Sequence, residues 1–412
     1  LLGDALGRHR SAEIVLVDHT MAHMWKPLLH EVAAGTLPSQ ENEVSFLQQA
    51  QRHHFRFHLG TLDKVDRARR EVHLLPLIDD EHREVAPQRT VGYDTLVVAL
   101  GSIVNDFGTP GVAQHAMTLD DADDARRFHQ RLLSACAGAA LSDEEAVDIV
   151  IVGGGATGVE LAAELSEAGA EIANFGDPLR HRLQPLRLHL VEAGPRLVAA
   201  LPEDMAVHVR KDLLERGIEV RLSERVVGVT ADRVLLASGS SLPSVITVWA
   251  AGIQGPAVLE RLDALELNRQ RQLVVRATLQ STRDESVFAF GDCASCVPVE
   301  GGPPVPARAQ AAHQQAQFLV KSLRRRLAGQ PLPSFVFHDR GSLVSLGQHD
   351  AVGRIVGGLT GRSFAVQGFL ARLGYWFTQR QYLIALHGPV RTLLTTIGSW
   401  LLRRTQPRVK LH

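Results

Sequence analysis

The sequence predicts an α/β protein in which short parallel strands alternate with helices, and three observations lead to this prediction. An apolar β-branched run at 150–152 enters a glycine-rich turn, and a helical pattern follows at once. Two further apolar runs, EIVLVD at 13–18 and LHLVEA at 188–193, each close with an acidic residue. With 412 residues, 45% of them hydrophobic and 22% charged, the chain can bury a large core in two or three domains.

The turn after the first of these strands carries Gly153, Gly155 and Gly158 in the spacing GxGxxG. Between a strand and a helix, this spacing is typical of dinucleotide binding, because glycines let the backbone approach a pyrophosphate and the helix N-terminus offers free N–H groups. Glu192 ends the next strand and is predicted to accept a hydrogen bond from a ribose, which favours NAD over NADP. The long spacing up to Glu192 predicts an insertion near 170–186.

The strand EIVLVD predicts a second Rossmann-like domain, in which Asp18 either binds the ribose of a second nucleotide or only caps the following turn. LLGDALGR, which opens the chain, resembles the back half of a helix. Because a parallel fold needs a strand before that helix, we expect an N-terminal piece with the first strand and its glycine turn to be missing.

A later strand, SVFAFGDCA at 286–294, ends in Gly291 and Asp292. A glycine there lets the backbone approach a cofactor, and the carboxylate can accept hydrogen bonds from a polyol chain. Two other apolar strands also end in a glycine, Gly101 and Gly252. We expect one of these strands in each nucleotide-binding domain.

Charge is unevenly distributed along a chain whose net charge is −1. No acidic residue follows Asp350, whereas nine basic ones do: Arg354, Arg362, Arg372, Arg380, Arg391, Arg403, Arg404, Arg408 and Lys410. Apolar residues recur between them at helical spacing, and no run reaches the roughly 20 residues of a membrane-spanning helix. This pattern predicts a C-terminal amphipathic segment that associates with an anionic membrane surface; a dimerisation face is the alternative.

The three cysteines, Cys136, Cys293 and Cys296, suit a reducing compartment, and no signal peptide is visible. Cys293 and Cys296 form a CxxC without a second pair or a histidine at zinc-ligand spacing, so we interpret them as structural. We expect no metal site and no nucleic-acid partner.

The motifs GGGATGVE, AAGI, GDCA and AQAAHQ, together with WKPLLHE at 25–31, resemble the type II NADH:quinone oxidoreductases. The resemblance covers essentially the whole chain, except that the family's first strand and its FAD-binding glycine turn are absent. It implies non-covalent FAD, hydride transfer from NADH to the flavin, and two-electron reduction of a membrane quinone in a respiratory chain without proton pumping. It also implies peripheral attachment to the cytoplasmic face of the inner membrane, and it allows a homodimer through the C-terminal region.

The resemblance also assigns roles to residues. NADH would contact Gly153, Gly155, Gly158, Glu160, Glu192 and Gly252, with Glu160 at the nicotinamide; the alternative for Glu160 is a surface acid that complements the helix dipole. FAD would contact Asp18, Lys26, Gly101, Gly291, Asp292 and Ala311, although Lys26 could equally be an ordinary helix-end lysine. Gln310 and Gln314, four apart on one helix face, resemble quinone-site residues. His313 could relay a proton or be a plain surface histidine.

We expect a discontinuous FAD-binding domain at 1–118 and 274–345, an NADH-binding domain at 119–273 and a membrane-association region at 346–412. The alternatives are a ferredoxin-type reductase, a sulfide:quinone oxidoreductase, or an inactive fragment that binds NADH and membrane without flavin. The basic tail argues against a soluble reductase. The scarcity of cysteines argues against the sulfide enzymes, which depend on reactive cysteines in separate places.

Overall fold

The computed structural model describes residues 1–9, 11–37, 42–141, 146–174, 186–299, 301–347, 350–356 and 363–403. Most of the predicted insertion near 170–186 lies outside these ranges. So do four of the nine basic residues of the tail, namely Arg362, Arg404, Arg408 and Lys410.

The helices have the following bounds: α1 Leu29–Ala34, α2 Phe46–His53, α3 Val112–His115, α4 Ala122–Leu141, α5 Ala156–Asn174, α6 Glu203–Glu215, α7 Ala309–Leu327, α8 Phe369–His387 and α9 Pro389–Arg403. Short 3₁₀ segments occur at Lys26–Leu28, Ala257–Arg261 and Gly291–Cys293, and a π-helical turn at Gly3–Gly7.

The strands have the following bounds: β1 Val15–Asp18, β2 Ala22–His23, β3 Val44–Ser45, β4 Arg56–Leu59, β5 Leu62–Asp66, β6 Glu71–Leu74, β7 Leu77–Ile78, β8 Glu84–Ala86, β9 Arg89–Gly92, β10 Leu96–Val98, β11 Ile103–Val104, β12 Ala116–Met117, β13 Val147–Val152, β14 Leu186–Val191, β15 Glu219–Arg221, β16 Val226–Val229, β17 Arg233–Leu236, β18 Ser241–Pro243, β19 Ile246–Trp249, β20 Ile253–Gln254, β21 Leu273–Val275, β22 Val287–Ala289, β23 Ala294–Cys296, β24 Gly341–Ser345, β25 Ala351–Val356 and β26 Ser363–Gln367.

The chain divides into two compact units. Unit 1 comprises 1–23, 43–103 and 253–339, and unit 2 comprises 24–42, 104–252 and 340–412. The predicted boundaries differ from this division, because 24–42, 104–118 and 340–345 belong to unit 2 and 253–273 to unit 1. Helix α1 joins unit 2 because it packs on α4 and α5, and β24 joins it because it packs on α5. The C-terminal residues from 346 also belong to unit 2 rather than forming a region of their own.

Unit 2 is built on a five-stranded parallel sheet with the order β12-β19-β13-β14-β15. Strand β13 is buried along its whole length. Ile149 and Ile151 pack into the core shared with α4, α5 and α6, whereas Val150 and Val152 pack toward the antiparallel sheet β16-β17-β18. Burial on both faces is why this strand is a continuous apolar run.

The chain order in this sheet reverses beside β13, between β13 and β19. This is the topological switch point of a Rossmann-like sheet, and ligands of such sheets bind in the crevice at the carboxyl ends of the strands there. The glycine-rich turn between β13 and α5 lies at this edge.

Unit 1 contains the parallel pairs β1–β4, β10–β22 and β21–β23. It also contains antiparallel pairings that the sequence did not predict, among them the sheet β5-β6-β9. Its core gathers residues from β6, β10, β22 and α7, including the fully buried Phe288 and Leu319. The α/β fold class predicted from the sequence is confirmed.

The C-terminal part of unit 2 begins with the antiparallel sheet β24-β25-β26, which the sequence did not predict, and continues with α8 and α9. The two helices contact each other, and Gly388 lies between them in the chain. Among the described residues, no helix combines the length and the apolar character needed to cross a bilayer.

Candidate functional site

The three glycines of the turn after β13 have three different environments. Gly153 has a φ of 114°, and a Cβ there would lie 2.7 Å from the carbonyl oxygen of Ala250. Gly158 lies so close to the turn that a Cβ would overlap the carbonyl oxygen of Gly153. Gly155 is exposed, and a Cβ there would have no protein atom within 4 Å. Gly153 therefore allows the tight turn, and Gly155 leaves open space at the start of α5. Gly158 allows α5 to pack closely against the turn.

Replacing Gly158 with alanine is expected to lower stability by about 1–3 kcal/mol, because the added methyl group must displace the backbone of the turn. The measurement is the midpoint of thermal unfolding. Gly155→Ala, which adds the same methyl group in open space, is the matched control and should leave that midpoint nearly unchanged. Equal midpoints for the two variants would contradict the close-packing role of Gly158.

Glu192 connects the glycine turn to the loop that follows its own strand. Its Oε2 accepts a hydrogen bond from the backbone N–H of Gly154 at 2.6 Å, and its Oε1 accepts one from Gly194 at 2.6 Å. Each carboxylate oxygen has a second acceptor site. Glu192 can therefore hold the turn in place and still accept a hydrogen bond from a ligand hydroxyl.

Glu160 is buried, with 9% of its surface exposed, in the second turn of α5. Its Oε1 accepts a hydrogen bond from the backbone N–H of Ser345 at 3.1 Å, and its Oε2 lies 3.7 Å from Nδ1 of His30. Burial raises the pKa of Glu160 to about 8, and negative charge on Glu31 and Glu164 also raises it. Glu160 is thus a buried acid that keeps its proton at neutral pH, not a surface charge at the helix start.

His30, which sequence reasoning did not assign, is the imidazole that faces Glu160. Burial lowers the pKa of His30 to about 4, so both members of the pair are uncharged near pH 7. The residue lies in the motif WKPLLHE, which was the only signal for it in the sequence. Glu164, one turn further along α5, accepts a hydrogen bond from Oγ1 of Thr36 at 2.6 Å.

Gly252 follows β19 and has a φ of 68°. The backbone of the preceding Ala250 and Ala251 lies against Gly153, so Gly252 is close to the glycine turn. The ring of Phe107 lies against Gly252, and a Cβ on Gly252 would be 2.9 Å from Cε2 of that ring. All six residues predicted to contact NADH therefore belong to one unit, and five of them cluster at one edge of its sheet, with Glu160 buried behind the glycine turn.

In unit 1, Gly101 and Gly291 follow two paired strands. Val98 of β10 is paired with Ala289 of β22 in parallel, so the two glycines emerge at the same edge. Both have positive φ values, 68° and 72°, and a Cβ on Gly101 would meet no protein atom within 4 Å. A cofactor can therefore approach the backbone of Gly101 without meeting a side chain, and at Gly291 the atom nearest to a Cβ would be Cβ of Ala312 at 3.6 Å.

Asp292, next to Gly291, is held by two neighbours. Its Oδ2 accepts a hydrogen bond from Oγ of Ser102 at 3.1 Å, and its carbonyl oxygen accepts one from Nε2 of Gln272 at 2.9 Å. Gln315, which was not predicted from the sequence, is a buried residue whose Oε1 accepts a hydrogen bond from the N–H of Gly291 at 2.8 Å. This bond fixes the Gly-Asp turn to α7.

Asp18 ends β1, and its Oδ1 accepts hydrogen bonds from the N–H and the Oγ1 of Thr20, both at 2.9 Å. The turn-capping alternative for Asp18 is therefore realised in the structure, and a ribose contact would have to use the other carboxylate oxygen. Ala311 is buried in the first turn of α7. Lys26 lies in unit 2, unlike the other five residues predicted to contact FAD.

Gln310 and Gln314 share one face of α7, as predicted, and that face is bonded to the chain at 338–339. Nε2 of Gln310 donates to Oδ1 of Asp339 at 3.1 Å. The side-chain amide of Gln314 donates to the carbonyl oxygen of His338 and accepts from its N–H, at 2.9 and 3.0 Å. His313 is exposed, with Nε2 at 3.0 Å from Nε2 of Gln317.

The cysteines are poor nucleophiles in this environment. Cys293 and Cys296 are buried, and burial raises the pKa of both thiols to about 11. Burial has the same effect on Cys136. Within the described ranges, no group of three or more histidine, cysteine or acidic side chains could hold a metal ion.

Comparison with known proteins identifies the family. The sequence profile of the pyridine nucleotide-disulphide oxidoreductase family matches residues 4–316. A type II NADH:quinone oxidoreductase from Haemophilus influenzae is 38% identical over 100% of this chain and 96% of its own length. One from Staphylococcus aureus (strain NCTC 8325 / PS 47) is 28% identical over 84% of this chain and 83% of its own length.

The structure of NDH2 from Plasmodium falciparum in complex with RYL-552 superposes with a TM-score of 0.82 at 16% identity, and covers 99% of this chain and 97% of that one. This likeness shows a shared fold. Together with the level of identity over the full chain, it shows that the chain belongs to the type II NADH:quinone oxidoreductases, within the pyridine nucleotide-disulphide oxidoreductase family.

Proposed function

We infer that the chain oxidises NADH and passes the electrons to a quinone, without pumping protons, using non-covalently bound FAD. The observation that carries this inference is the glycine turn between β13 and α5. There, open space at Gly155 adjoins a helix N-terminus and a strand-end carboxylate, in a chain that belongs to this family.

In unit 2, the diphosphate of NADH would lie over Gly155, where the first N–H groups of α5 are free to donate hydrogen bonds. Glu192 would accept a hydrogen bond from the adenosine ribose with the lone pairs that Gly154 and Gly194 leave free. This carboxylate would repel the 2′-phosphate of NADP, so we expect a preference for NADH. Glu160, with its carboxyl group protonated, is proposed to lie at the nicotinamide.

In unit 1, the residues present fit a flavin. Gly101 and Gly291 leave the backbone accessible at one sheet edge, and Asp292 is positioned by Ser102 to accept hydrogen bonds from a ribityl chain. A bound flavin supplies a group that accepts two electrons from NADH and donates them to the quinone. Helix α7 contributes the positive end of its dipole at Ala311, and Asp18 is the candidate for the ribose of this cofactor.

Gln310 and Gln314 are the proposed quinone-binding residues, because amides donate hydrogen bonds to a carbonyl without adding a charge. Their present partners at 338–339 would keep them oriented. His313 could deliver a proton from the exposed side of α7. A sulfide:quinone activity is not favoured, because all three cysteines have raised thiol pKa values and two of them are buried.

The first test is the visible absorption of the purified protein without oxygen. A flavin band that NADH bleaches and a soluble quinone restores is the expected result. A protein with flavin that NADH does not bleach would contradict the proposed activity. Restoration by ferredoxin but not by quinone would favour the ferredoxin-type alternative.

We also propose peripheral attachment to the cytoplasmic face of the inner membrane through α8 and α9. These helices expose a set of large apolar side chains: Leu373, Trp376, Phe377, Ile384, Val390, Leu393, Leu394 and Ile397. The guanidinium of Arg380 lies over the Trp376 ring, 5.1 Å from its centre, and no acidic residue follows Asp350. Apolar surface in a segment that carries basic residues and no acidic ones favours an anionic lipid surface as the partner.

Replacing Leu394 with aspartate is expected to reduce sedimentation with vesicles containing anionic lipid at least about three-fold, because a charge replaces apolar contact with the membrane. NADH oxidation with a soluble quinone should be unaffected. Val207→Asp, at a residue 63% exposed on α6, is the control for adding one exposed carboxylate. If Leu394→Asp instead converts a dimer to a monomer without changing vesicle binding, the exposed face is a dimer interface.

A further inference from the structure

The loop at 105–111 carries an exposed aromatic residue on a constrained backbone. Phe107 is 66% exposed and has a φ of 53°, in the left-handed region that bulky side chains rarely adopt. Exposure alone is ordinary for a single apolar residue. Residues with an unfavourable backbone conformation cluster at ligand-binding and active sites, and Phe107 lies at such an edge.

Hydrogen bonds fix this loop at both ends. The indole N–H of the buried Trp249 donates to the carbonyl oxygen of Asn105 at 2.9 Å. At the other end, the N–H of Val229 donates to the carbonyl oxygen of Pro110 at 2.9 Å. Within the loop, Oδ1 of Asn105 accepts a hydrogen bond from the N–H of Phe107 at 2.8 Å. The ring is therefore exposed on a loop that is itself well held.

The fixed loop puts the ring against Gly252. A Cβ on Gly252 would overlap Cζ of Phe107, so the absence of a side chain there is what admits the ring. Gly252 adjoins the turn at Gly153, at the switch point between β13 and β19. Phe107 thus lies at the crevice where a dinucleotide binds in this type of sheet.

The orientation of the dinucleotide determines which half meets Phe107. Glu192, the ribose-binding carboxylate, follows β14 on one side of β13, whereas Gly252 follows β19 on the other. With adenosine on the β14 side and the diphosphate over Gly155, the remaining half of the molecule extends toward β19. That half carries the nicotinamide.

We propose that Phe107 forms an apolar wall that contacts the nicotinamide half of NADH. The proposal rests on NADH being the substrate of unit 2. A planar aromatic side chain suits this place because it packs against the flat nicotinamide ring or its ribose without competing for hydrogen bonds. The absence of a side chain at Gly252 would then make room for the Phe107 ring and also allow the dinucleotide to approach the backbone closely.

The test uses Phe107→Asn in the flavin-loaded protein. Asparagine adopts left-handed backbone more readily than phenylalanine, so this variant removes the ring and retains the loop. The KM for NADH should rise about 3- to 10-fold, which corresponds to the loss of one aromatic contact. The inhibition constant of ADP-ribose, which lacks the nicotinamide, should stay unchanged, and the thermal midpoint should not fall.

Val207→Ala, which removes a comparably exposed apolar side chain from α6, should change none of these values. An unchanged KM in Phe107→Asn overturns the proposal, and so does an equal weakening of NADH and ADP-ribose, which would indicate damage to the loop. If Phe107→Asn folds poorly, Phe107→Leu permits the same comparison of the two ligands. If the flavin-loaded wild type does not oxidise NADH, the proposed function itself is overturned. If the wild type oxidises NADH and the Phe107 variants do so with an unchanged KM, only the proposed contact between Phe107 and NADH is overturned.

Discussion

Replacing Gly155 with aspartate is expected to raise the KM for NADH at least 100-fold while the protein stays folded. A Cβ at Gly155 would have no protein atom within 4 Å, and the φ of Gly155 lies outside the left-handed region, so the fold can accept a side chain there. The carboxylate would point into the space proposed for the diphosphate. Two unit charges 4 Å apart repel by about 4 kcal/mol at an effective dielectric of 20, and a tenfold loss of affinity requires about 1.4 kcal/mol.

The measurement is steady-state NADH oxidation with a soluble quinone, together with the thermal midpoint. Gly138→Asp is the matched control. Gly138 lies on α4 and, like Gly155, is exposed and has no atom within 4 Å of its Cβ position. The control variant should leave both values nearly unchanged, and the KM for quinone should be the same in both variants. A Gly155→Asp protein with an ordinary KM for NADH would show that the diphosphate does not bind over this turn.

Replacing Glu160 with glutamine is expected to remove a large pH dependence of stability. The unfolded chain loses the Glu160 proton near the ordinary pKa of 4.5, whereas the folded protein keeps it up to about pH 8. Between these values the folded state binds more protons, so the stability of the wild type falls as the pH rises and levels off above about 8. The fall attributable to Glu160 is on the order of 5 kcal/mol.

His30 acts in the opposite direction, because its pKa is lowered from 6.5 to about 4 and its contribution to stability rises with pH over that range. Thermal midpoints should therefore be compared at pH 7.5 and 9.0, where the folded His30 is neutral and the unfolded His30 is almost fully so. The wild type should lose more stability than Glu160→Gln over this interval. Glu215→Gln, at an exposed residue of α6, should behave like the wild type. Parallel pH profiles for wild type and Glu160→Gln would refute the raised pKa.

The parts of the fold that local sequence signals define were predicted well. The strand β13, its glycine turn and α5 are consecutive in the chain, and their apolar run and glycine spacing are enough to predict them. The antiparallel sheet β24-β25-β26 was missed, because its first strand was assigned to the FAD-binding domain and residues 346–412 were interpreted as one amphipathic segment. Its strands, which contain glycine and arginine, have no clear alternation of apolar and polar residues.

The environment of the candidate site depended on contacts between distant parts of the chain. Glu160 is buried because α1 and β24 cover it, and these elements lie more than 100 residues away on either side. The sequence pattern placed an acid in the helix but could not show its neighbours. Likewise, Gln314 was singled out from its motif, whereas the buried Gln315 is recognised only once the rotation of α7 toward Gly291 is known.

The two backbone hydrogen bonds of Glu192 bear on how cofactor preference could change in this protein. In a nucleotide-binding unit where the acidic residue contacts only the ribose, a neutral or basic replacement can open the way to NADP. Here the same replacement would also release Gly154 and Gly194 and so loosen the loop that is proposed to hold the diphosphate. Selection for NADP use would therefore need at least two coordinated substitutions, one to remove the negative charge and one to tether the turn again. This coupling would make the proposed preference for NADH hard to reverse by single mutational steps.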